Sequence, residues 1–133
     1  MSGRRSAHVE NLTGDQLPFL EAIGLVRYDP SISPALNPRI VAEGCRVPFQ
    51  WRLPDMHLPL LSEKDVRDFV FRAAADGAAS VFVTVSEGIT RPGRVEKLRA
   101  FADAGRQAEA LLADGAPREE LAGRVSEAGR RKF

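Results

Sequence analysis

Apolar and polar positions follow different patterns in the two halves of the chain. Up to residue 61 the apolar positions form short runs, interrupted by seven of the nine prolines, which fall between residues 18 and 59. Because proline removes an N–H donor and blocks helix continuation, this part predicts short strands and turns. Beyond residue 61, alanine is abundant and apolar residues recur at helical spacing. We therefore expect one domain: a flexible segment over 1–12, a Pro-rich strand and loop half over 13–61, and a helix-strand-helix-helix half over 62–133.

The Pro-rich half predicts four short elements. A helix is expected over 15–23 and ends before Gly24, and strands are expected over 25–28, 39–43 and 46–53. The alternation is clearest in the last of these strands, which places on one face Val47, Phe49, Trp51 and Leu53. Pro48 favours an edge position for it, because proline cannot donate to a strand ladder. Pairing of 39–43 with 46–53 as a hairpin is left open.

The second half predicts helices around one strand. Ser62 followed by Asp65 is typical of a helix start, which predicts a helix over 63–76 closed by Gly77. The run 80–86 is almost continuously β-branched and aromatic, which predicts a strand buried on both faces at the centre of the sheet. Together with strand 46–53 these elements form a possible β-α-β unit. Two further helices, over 95–112 and after Pro117, are expected to pair as a helical hairpin.

The expected fold class is therefore α+β, with a small mixed sheet of three to four strands, an inserted helix and a C-terminal helical hairpin. A chain of 133 residues can bury roughly two-thirds of its unfolded surface, enough for a core without disulfides or metal.

Charge and cysteine content narrow the possible functions. The 19 basic and 18 acidic residues nearly cancel, and they do so within each half as well. This balance argues against bulk binding to nucleic acid, which is kept as an alternative, and no membrane-binding or membrane-spanning segment is evident. The single cysteine, Cys45, permits no internal disulfide. We expect a cytoplasmic protein with no cofactor and no metal.

The segment 86–94 is the candidate ligand site. It follows the predicted central strand and precedes a helix, where open α/β sheets usually bind ligands. Backbone N–H groups and basic side chains there are suited to an anion, and the candidate residues are Ser86, Gly88, Arg91 and Arg94. The spacing matches neither a phosphate-binding loop with Gly-Lys-Ser/Thr nor a dinucleotide fingerprint. An ordinary connection between two elements is the simpler interpretation.

No catalytic residues are assigned. The segment 84–88 resembles the sharp turn that carries a nucleophilic serine, but Thr84 stands where the first glycine belongs. Only His8 and His57 are available as a base for such a serine. Whether the protein is an enzyme stays open, with the balance against it.

Two places are candidate protein interfaces. Trp51 and Arg52 are residue types enriched at interface centres, although a core position is the simpler explanation for Trp51. The last helix has only Leu121 and Val125 as large apolar residues, so a partner or a second copy could complete its packing. The leading hypothesis is a non-enzymatic binding module, subunit or regulator that acts through protein contacts or self-association. The alternatives are a small-ligand or anion-binding enzyme or sensor that uses 86–94, and a nucleic-acid-binding regulator.

Overall fold

Short strands and helices alternate through the first two-thirds of the chain. The structure is a computed structural model, and it describes residues 4–30, 32–85 and 91–133. The strands are β1 (Ser6–His8), β2 (Arg27–Asp29), β3 (Gln50–Leu53) and β4 (Ser80–Val83). The helices are α1 (Leu17–Ala22), α2 (Pro38–Gly44), α3 (Glu63–Ala75), α4 (Arg94–Ala113), α5 (Arg118–Gly123) and α6 (Glu127–Lys132), with 3-10 turns at Gly14–Gln16 and Leu58–Leu60. Helices and strands thus both contribute, as an α+β chain requires.

The strands form two parallel ladders of two strands each. β1 pairs with β2, which sets His8 beside Asp29, and β3 pairs with β4, which sets Arg52 beside Phe82. A single parallel bridge between Tyr28 and Phe49 links the two ladders. All pairings among the described strands are parallel, so the antiparallel pairs of the expected mixed sheet are not observed there. β1 falls inside residues 1–12, for which we expected flexibility.

The two faces of the strands differ in chemistry. One face packs against the helices and carries Tyr28, Phe49, Trp51, Leu53, Val81 and Val83. Since successive strand residues point to opposite sides, the other face carries Ser6, His8, Arg27, Asp29, Gln50, Arg52, Ser80 and Phe82. The apolar face joins two hydrophobic clusters, and Trp51 and Val81 contact both of them. The helices therefore lie against one side of the strands, and polar groups dominate the other side.

The predicted β-α-β unit is confirmed. Ser62 Oγ accepts a hydrogen bond from the Asp65 N–H at 3.1 Å, and Asp65 Oδ2 accepts one from the Ser62 N–H at 2.9 Å. These reciprocal bonds satisfy two N–H groups at the start of α3. The helix then connects β3 to the parallel strand β4. Its end at Ala75 is followed by Gly77, whose φ of +112° favours glycine.

The strand predicted over 39–43 is wrong, because these residues form α2. The Asn37 side chain accepts a hydrogen bond from the Ile40 N–H at 2.9 Å and caps the helix, and Pro38 occupies its first turn. Ile40 and Val41 are β-branched and misleadingly suggest a strand. Local capping outweighs that propensity, and the open question of a hairpin with 46–53 is answered in the negative.

The second helix of the predicted C-terminal hairpin is divided into two. α5 ends at Gly123 and α6 begins at Glu127, with Ser126 as the cap of α6. The Ser126 N–H and hydroxyl both donate to the buried carboxylate of Asp68 on α3. A continuous helix would use that N–H for its own ladder, so the bond to α3 accounts for the break.

The strand predicted over 80–86 is shorter and less buried than expected. β4 spans Ser80–Val83, and each of its four residues is only half-buried. Its β3-facing edge is paired, and no other described strand lies beyond it, so it is not at the centre of the described sheet. The run is apolar because Val81 and Val83 pack against the helices, while Phe82 lies on the opposite face beside Arg52. Among the described helices, none is both long and apolar enough to cross a membrane.

Candidate functional site

The carboxyl ends of the parallel strands bring polar side chains together. His8 and Asp29 are the last residues of β1 and β2, and Arg52 is the second-last residue of β3. All three lie on the polar face of the strands. Ligands of open α/β sheets bind at this edge, because the loops that follow the strands leave a crevice there. The three residues form what we call the strand-end cluster.

Asp29 is the centre of the strand-end cluster. Its Oδ2 atom lies 2.8 Å from His8 Nδ1 and accepts a hydrogen bond from Arg52 Nη2 at 2.7 Å. The carboxylate side chain is 11% exposed, whereas half of the His8 side chain is exposed. A charge-assisted pair of this kind holds both partners in fixed orientations. The buried carboxylate therefore orients an imidazole that solvent can reach.

The contacts determine which nitrogen of His8 carries the proton. A neutral ring that bonds to Asp29 through Nδ1 must be protonated there, which leaves the lone pair on Nε2. Arg52 Nη2 lies 3.3 Å from the same Nδ1, and since both atoms are then donors we interpret this as a contact only. Nε2 lies 3.6 Å from a carboxylate oxygen of Glu10. Nε2 is thus an acceptor when the ring is neutral and a donor when it is protonated.

Arg52 also contacts the aromatic ring of Phe82. Its guanidinium carbon lies 5.1 Å from the centroid of the Phe82 ring on β4, a cation–π distance. Its Nε atom is buried and has no hydrogen-bond partner among the described residues. An unpaired buried donor costs about 1–3 kcal/mol. Arg52 therefore makes strong contacts to Asp29 and Phe82 at the expense of one unsatisfied donor.

A second feature at the same edge is a small pocket beside the first turn of α4, which follows β4. The pocket has a volume of about 130 Å³ and is lined by Leu58, Pro59, Arg91, Pro92, Arg94 and Lys97. Lys97 Nζ donates to the carbonyl oxygens of Leu58 at 2.9 Å and Pro59 at 3.3 Å. The pocket has room for several water molecules, enough for a small oxyanion. We call it the α4 pocket.

The α4 pocket includes part of the site predicted from the sequence. Arg91 and Arg94 both line it, and Arg94 is buried. Ser86 and Gly88 lie outside the described residues. Lys97 is not among the residues predicted from the sequence, although it lies one turn into α4 and after two arginines, within reach of the same space. Two of the four predicted anion-site residues are therefore adjacent to a common pocket.

The predicted interface residues occupy different environments. Trp51 is half-buried, lies at right angles to Phe49 with ring centroids 6.4 Å apart, and lines a groove of about 260 Å³. Arg52 belongs to the strand-end cluster. Leu121 and Val125 are fully buried against α3 in the core, so in the isolated chain they offer no surface to a partner. The four residues are not brought together, and their role in an interface stays a prediction.

No pattern in the sequence indicates that His8 and Asp29 form a pair. His8 lies in a segment without an apolar pattern, and the strand there is only three residues long. Asp29 precedes Pro30, which the sequence marks as the start of a loop. The one sequence feature that points to Asp29 as a site residue is its acidic side chain at the end of a short apolar run.

Other titratable groups do not extend the site. Cys45 is buried beside Tyr28, and burial, with a smaller contribution from Cys45, raises the pKa of the Tyr28 hydroxyl above its usual range. Within residues 4–30, 32–85 and 91–133, no three His, Cys, Asp or Glu side chains are grouped to hold a metal ion.

No protein-family model, no curated protein and no solved structure matches the chain.

Proposed function

We propose that the protein binds a small anionic ligand at the carboxyl edge of its parallel strands. The observation that carries the proposal is the Asp29-oriented imidazole of His8, which is held at 2.8 Å through Nδ1 while half of its side chain remains exposed. A ring fixed in this way loses little freedom when a ligand binds, so its hydrogen bond contributes more to affinity.

The basic side chains at this edge favour an anionic ligand. Arg91, Arg94 and Lys97 surround the α4 pocket, and the first turn of α4 adds the partial positive charge of a helix N-terminus. A carboxylate or phosphate group suits this environment, and protonated His8 would add a further donor. The ligand class we propose is a small compound that carries a carboxylate or phosphate group.

Isothermal titration calorimetry with inorganic phosphate and with a short dicarboxylate tests this proposal. We expect Lys97→Met to weaken binding at least tenfold, because it removes the charge while keeping much of the side-chain length. Lys64→Met on α3 is the matched control, since Lys64 lies in the exposed first turn of that helix. For the imidazole, His8→Gln is compared with His57→Gln, because His57 is an exposed histidine outside the strand-end cluster. Absence of measurable affinity for either probe at millimolar concentration, or equal effects of test and control variants, would count against the proposal.

Protein binding is the second candidate function, and exposed apolar side chains favour it. Phe19 and Ile23 on the α1 side are 67% and 56% exposed. An apolar groove of about 600 Å³ lies between β4 and α4. Neighbouring exposed apolar residues and open apolar grooves are typical of interaction sites. Phe19→Asp should abolish capture of a partner in an affinity pull-down, whereas Leu60→Asp, at an exposed position elsewhere, should not.

A further inference from the structure

The strands leave two outer edges open. Through the two ladders and the Tyr28–Phe49 bridge, the order across the strands is β1, β2, β3, β4, all parallel. Within the part of the chain that the structure describes, no strand pairs with the outer edge of β1 or of β4. Parallel strands in proteins are normally covered on both faces, and open edges are normally protected. Both outer edges and the polar face are therefore places where further structure is expected.

Beside β1, the exposed flank of α1 is apolar. Leu17 and Leu20 point into the core, and Glu21 accepts hydrogen bonds from Arg46 on the side of α2 and β3. At 3.6 residues per turn, Phe19 and Ile23 lie on the opposite side from Glu21. The Ile23 carbonyl accepts a hydrogen bond from Arg5, directly before β1. We call Arg5, Phe19 and Ile23 the β1 flank.

Beside β4, the apolar groove is open to solvent. It is lined on the strand side by Ala78, Ala79, Ser80 and Val81 and on the helix side by Phe101, Gly105, Glu109 and Leu112, among others. Gly105 leaves open space, since a Cβ atom there would meet nothing within 4 Å. Leu112 is exposed, and Glu109 provides a negative charge at the groove. We call this the β4 groove.

The β1 flank and the β4 groove are complementary. One side has projecting apolar groups with a cationic arginine, and the other has an apolar groove with an anionic glutamate. The β1 flank and the β4 groove also lie at the same height along the strand direction, near the amino-terminal ends of the strands. Arg5 precedes β1, and the groove lies beside the first residues of β4, where the last turns of the antiparallel-running α4 return. Like charges would oppose such contact, whereas Arg5 and Glu109 favour it.

We infer that the β4 groove of one chain receives the β1 flank of a second copy of the chain, in a two-fold dimer. This inference rests on protein binding as the second proposed function. The same contact formed twice closes the assembly, with β1 of each copy beside β4 of the other. Two sets of four parallel strands with helices outside give eight, the number that closes into an α/β barrel.

Closure places the polar faces of both copies inside the assembly. His8, Asp29 and Arg52 of each copy then line its interior near the carboxyl ends of the strands. Ligands of closed parallel barrels bind at that end. The dimer thus completes the walls of the strand-end site that a single chain leaves open.

Light scattering after size-exclusion chromatography tests the mass. We expect twice the 14.5 kDa of one chain at micromolar concentration.

Phe19→Asp should raise the dimer dissociation constant at least tenfold, whereas Leu60→Asp, at an exposed position outside both surfaces, should leave it unchanged. Arg5→Glu and Glu109→Arg should each weaken the dimer, and the double variant should restore it. Circular dichroism confirms that each variant is folded.

Cysteine cross-linking tests the arrangement. Chains carrying Ile23→Cys are mixed with chains carrying Leu112→Cys under mild oxidation, and Cys45 does not interfere because it is buried. We expect disulfides between positions 23 and 112 of different chains. A monomer at all concentrations, an open series of larger masses, or a dimer that links 23 to 23 would overturn the inference. If the chain is monomeric but Phe19→Asp alone abolishes capture of another protein, protein binding stands while self-association fails. If neither surface affects any association, both proposals fail.

Discussion

Ser126 donates a hydrogen bond from its backbone N–H to Oδ1 of Asp68 at 2.9 Å, across 58 residues of sequence. The Ser126 hydroxyl donates to the other carboxylate oxygen, and the Gly129 N–H donates to the same hydroxyl at 3.1 Å. Asp68 is buried on α3, so these bonds satisfy a carboxylate that would otherwise be costly there. The break between α5 and α6 is therefore a point of attachment to α3.

Gly129 faces Asp68 so closely that a side chain does not fit. A Cβ atom built at residue 129 would collide with three side-chain atoms of Asp68. We expect Gly129→Ala to lower the free energy of unfolding by about 1–3 kcal/mol, the usual cost of overpacking a close contact. Urea denaturation measures the change. Gly123→Ala is the control, because a Cβ at residue 123 meets nothing within 4 Å; equal losses for the two variants would disprove the steric explanation.

Removal of the Asp68 carboxylate should change the cost of Gly129→Ala. Asp68→Ala alone is expected to cost about 1–3 kcal/mol, because donors of Ser126 are left without their acceptor. In the Asp68→Ala background, two of the three atoms that Gly129→Ala would meet are absent and only the Cβ of residue 68 remains, so the second substitution should cost less than in the wild type. A double-mutant cycle measures this coupling. Additive effects would contradict a direct contact.

Asp65 predicts a pH dependence of stability. Hydrogen bonds from Lys132, and then from the Ser62 N–H, lower the pKa of Asp65 from 3.8 to about 2. Since the pKa is lower in the folded state, the carboxylate stabilises the fold above pH 3.8, and the effect is lost as pH falls towards 2. We expect wild type to exceed Asp65→Asn by about 1–2 kcal/mol at pH 7 and to match it near pH 2. Urea denaturation across this range measures the difference.

Lys132→Met provides the control for that pH dependence. Lys132 Nζ lies 2.7 Å from Asp65 Oδ1, and its removal should shift the loss of stability towards pH 3.8. The Ser62 N–H still donates to Asp65, so part of the effect should persist. A difference between wild type and Asp65→Asn that is constant from pH 7 to pH 2 would show that the Asp65 charge does not contribute.

Elements with a strong local signal could be predicted from the sequence. The capping pair of Ser62 and Asp65 identified α3, and helical spacing of small and apolar residues identified α4. α2 was missed because Ile40 and Val41 suggest a strand, while the Asn37 cap that decides the structure is one side-chain hydrogen bond. The division of the last helix was missed because its cause, Asp68, lies on another element.

The candidate site could be predicted only in part, for the same physical reason. Arg91 and Arg94 follow a strand and begin a helix, and that position indicates a ligand site without any long-range information. The strand-end cluster depends on the pairing of β1 with β2. That pairing brings Nδ1 of His8 within 2.8 Å of Oδ2 of Asp29, although the two residues are 21 positions apart in the sequence. A three-residue strand has too few positions to show a period, so the sequence could not reveal the partner of His8.

Asn37 is expected to contribute to stability through the cap of α2. Asn37→Ala removes the acceptor for the Ile40 N–H and should cost about 1 kcal/mol, whereas Asn37→Asp keeps a carboxylate acceptor and should cost less. Thermal unfolding of the three proteins measures the difference. Similar losses for alanine and aspartate would indicate that the amide nitrogen, rather than the cap, matters.

The ion pair of Arg52 and Asp29 is expected to stabilise the protein far more than an exposed pair does. Arg52→Met leaves the nearly buried Asp29 carboxylate without its guanidinium and removes the contact with Phe82, which should cost about 2–4 kcal/mol. Arg39→Met is the matched control, since Arg39 pairs with Asp76 at 3.3 Å but has a largely exposed side chain, and it should cost less than about 1 kcal/mol. Urea denaturation of both variants measures the costs. Arg52→Met also removes the buried, unsatisfied Nε donor, which offsets part of the loss in the free energy of unfolding. If Arg52→Met costs no more than Arg39→Met, the ion pair of Arg52 and Asp29 makes no net contribution to stability. In that case the strands and the bond between His8 and Asp29 would hold the strand-end cluster without Arg52, and His8 would keep its orientation in the Arg52→Met variant.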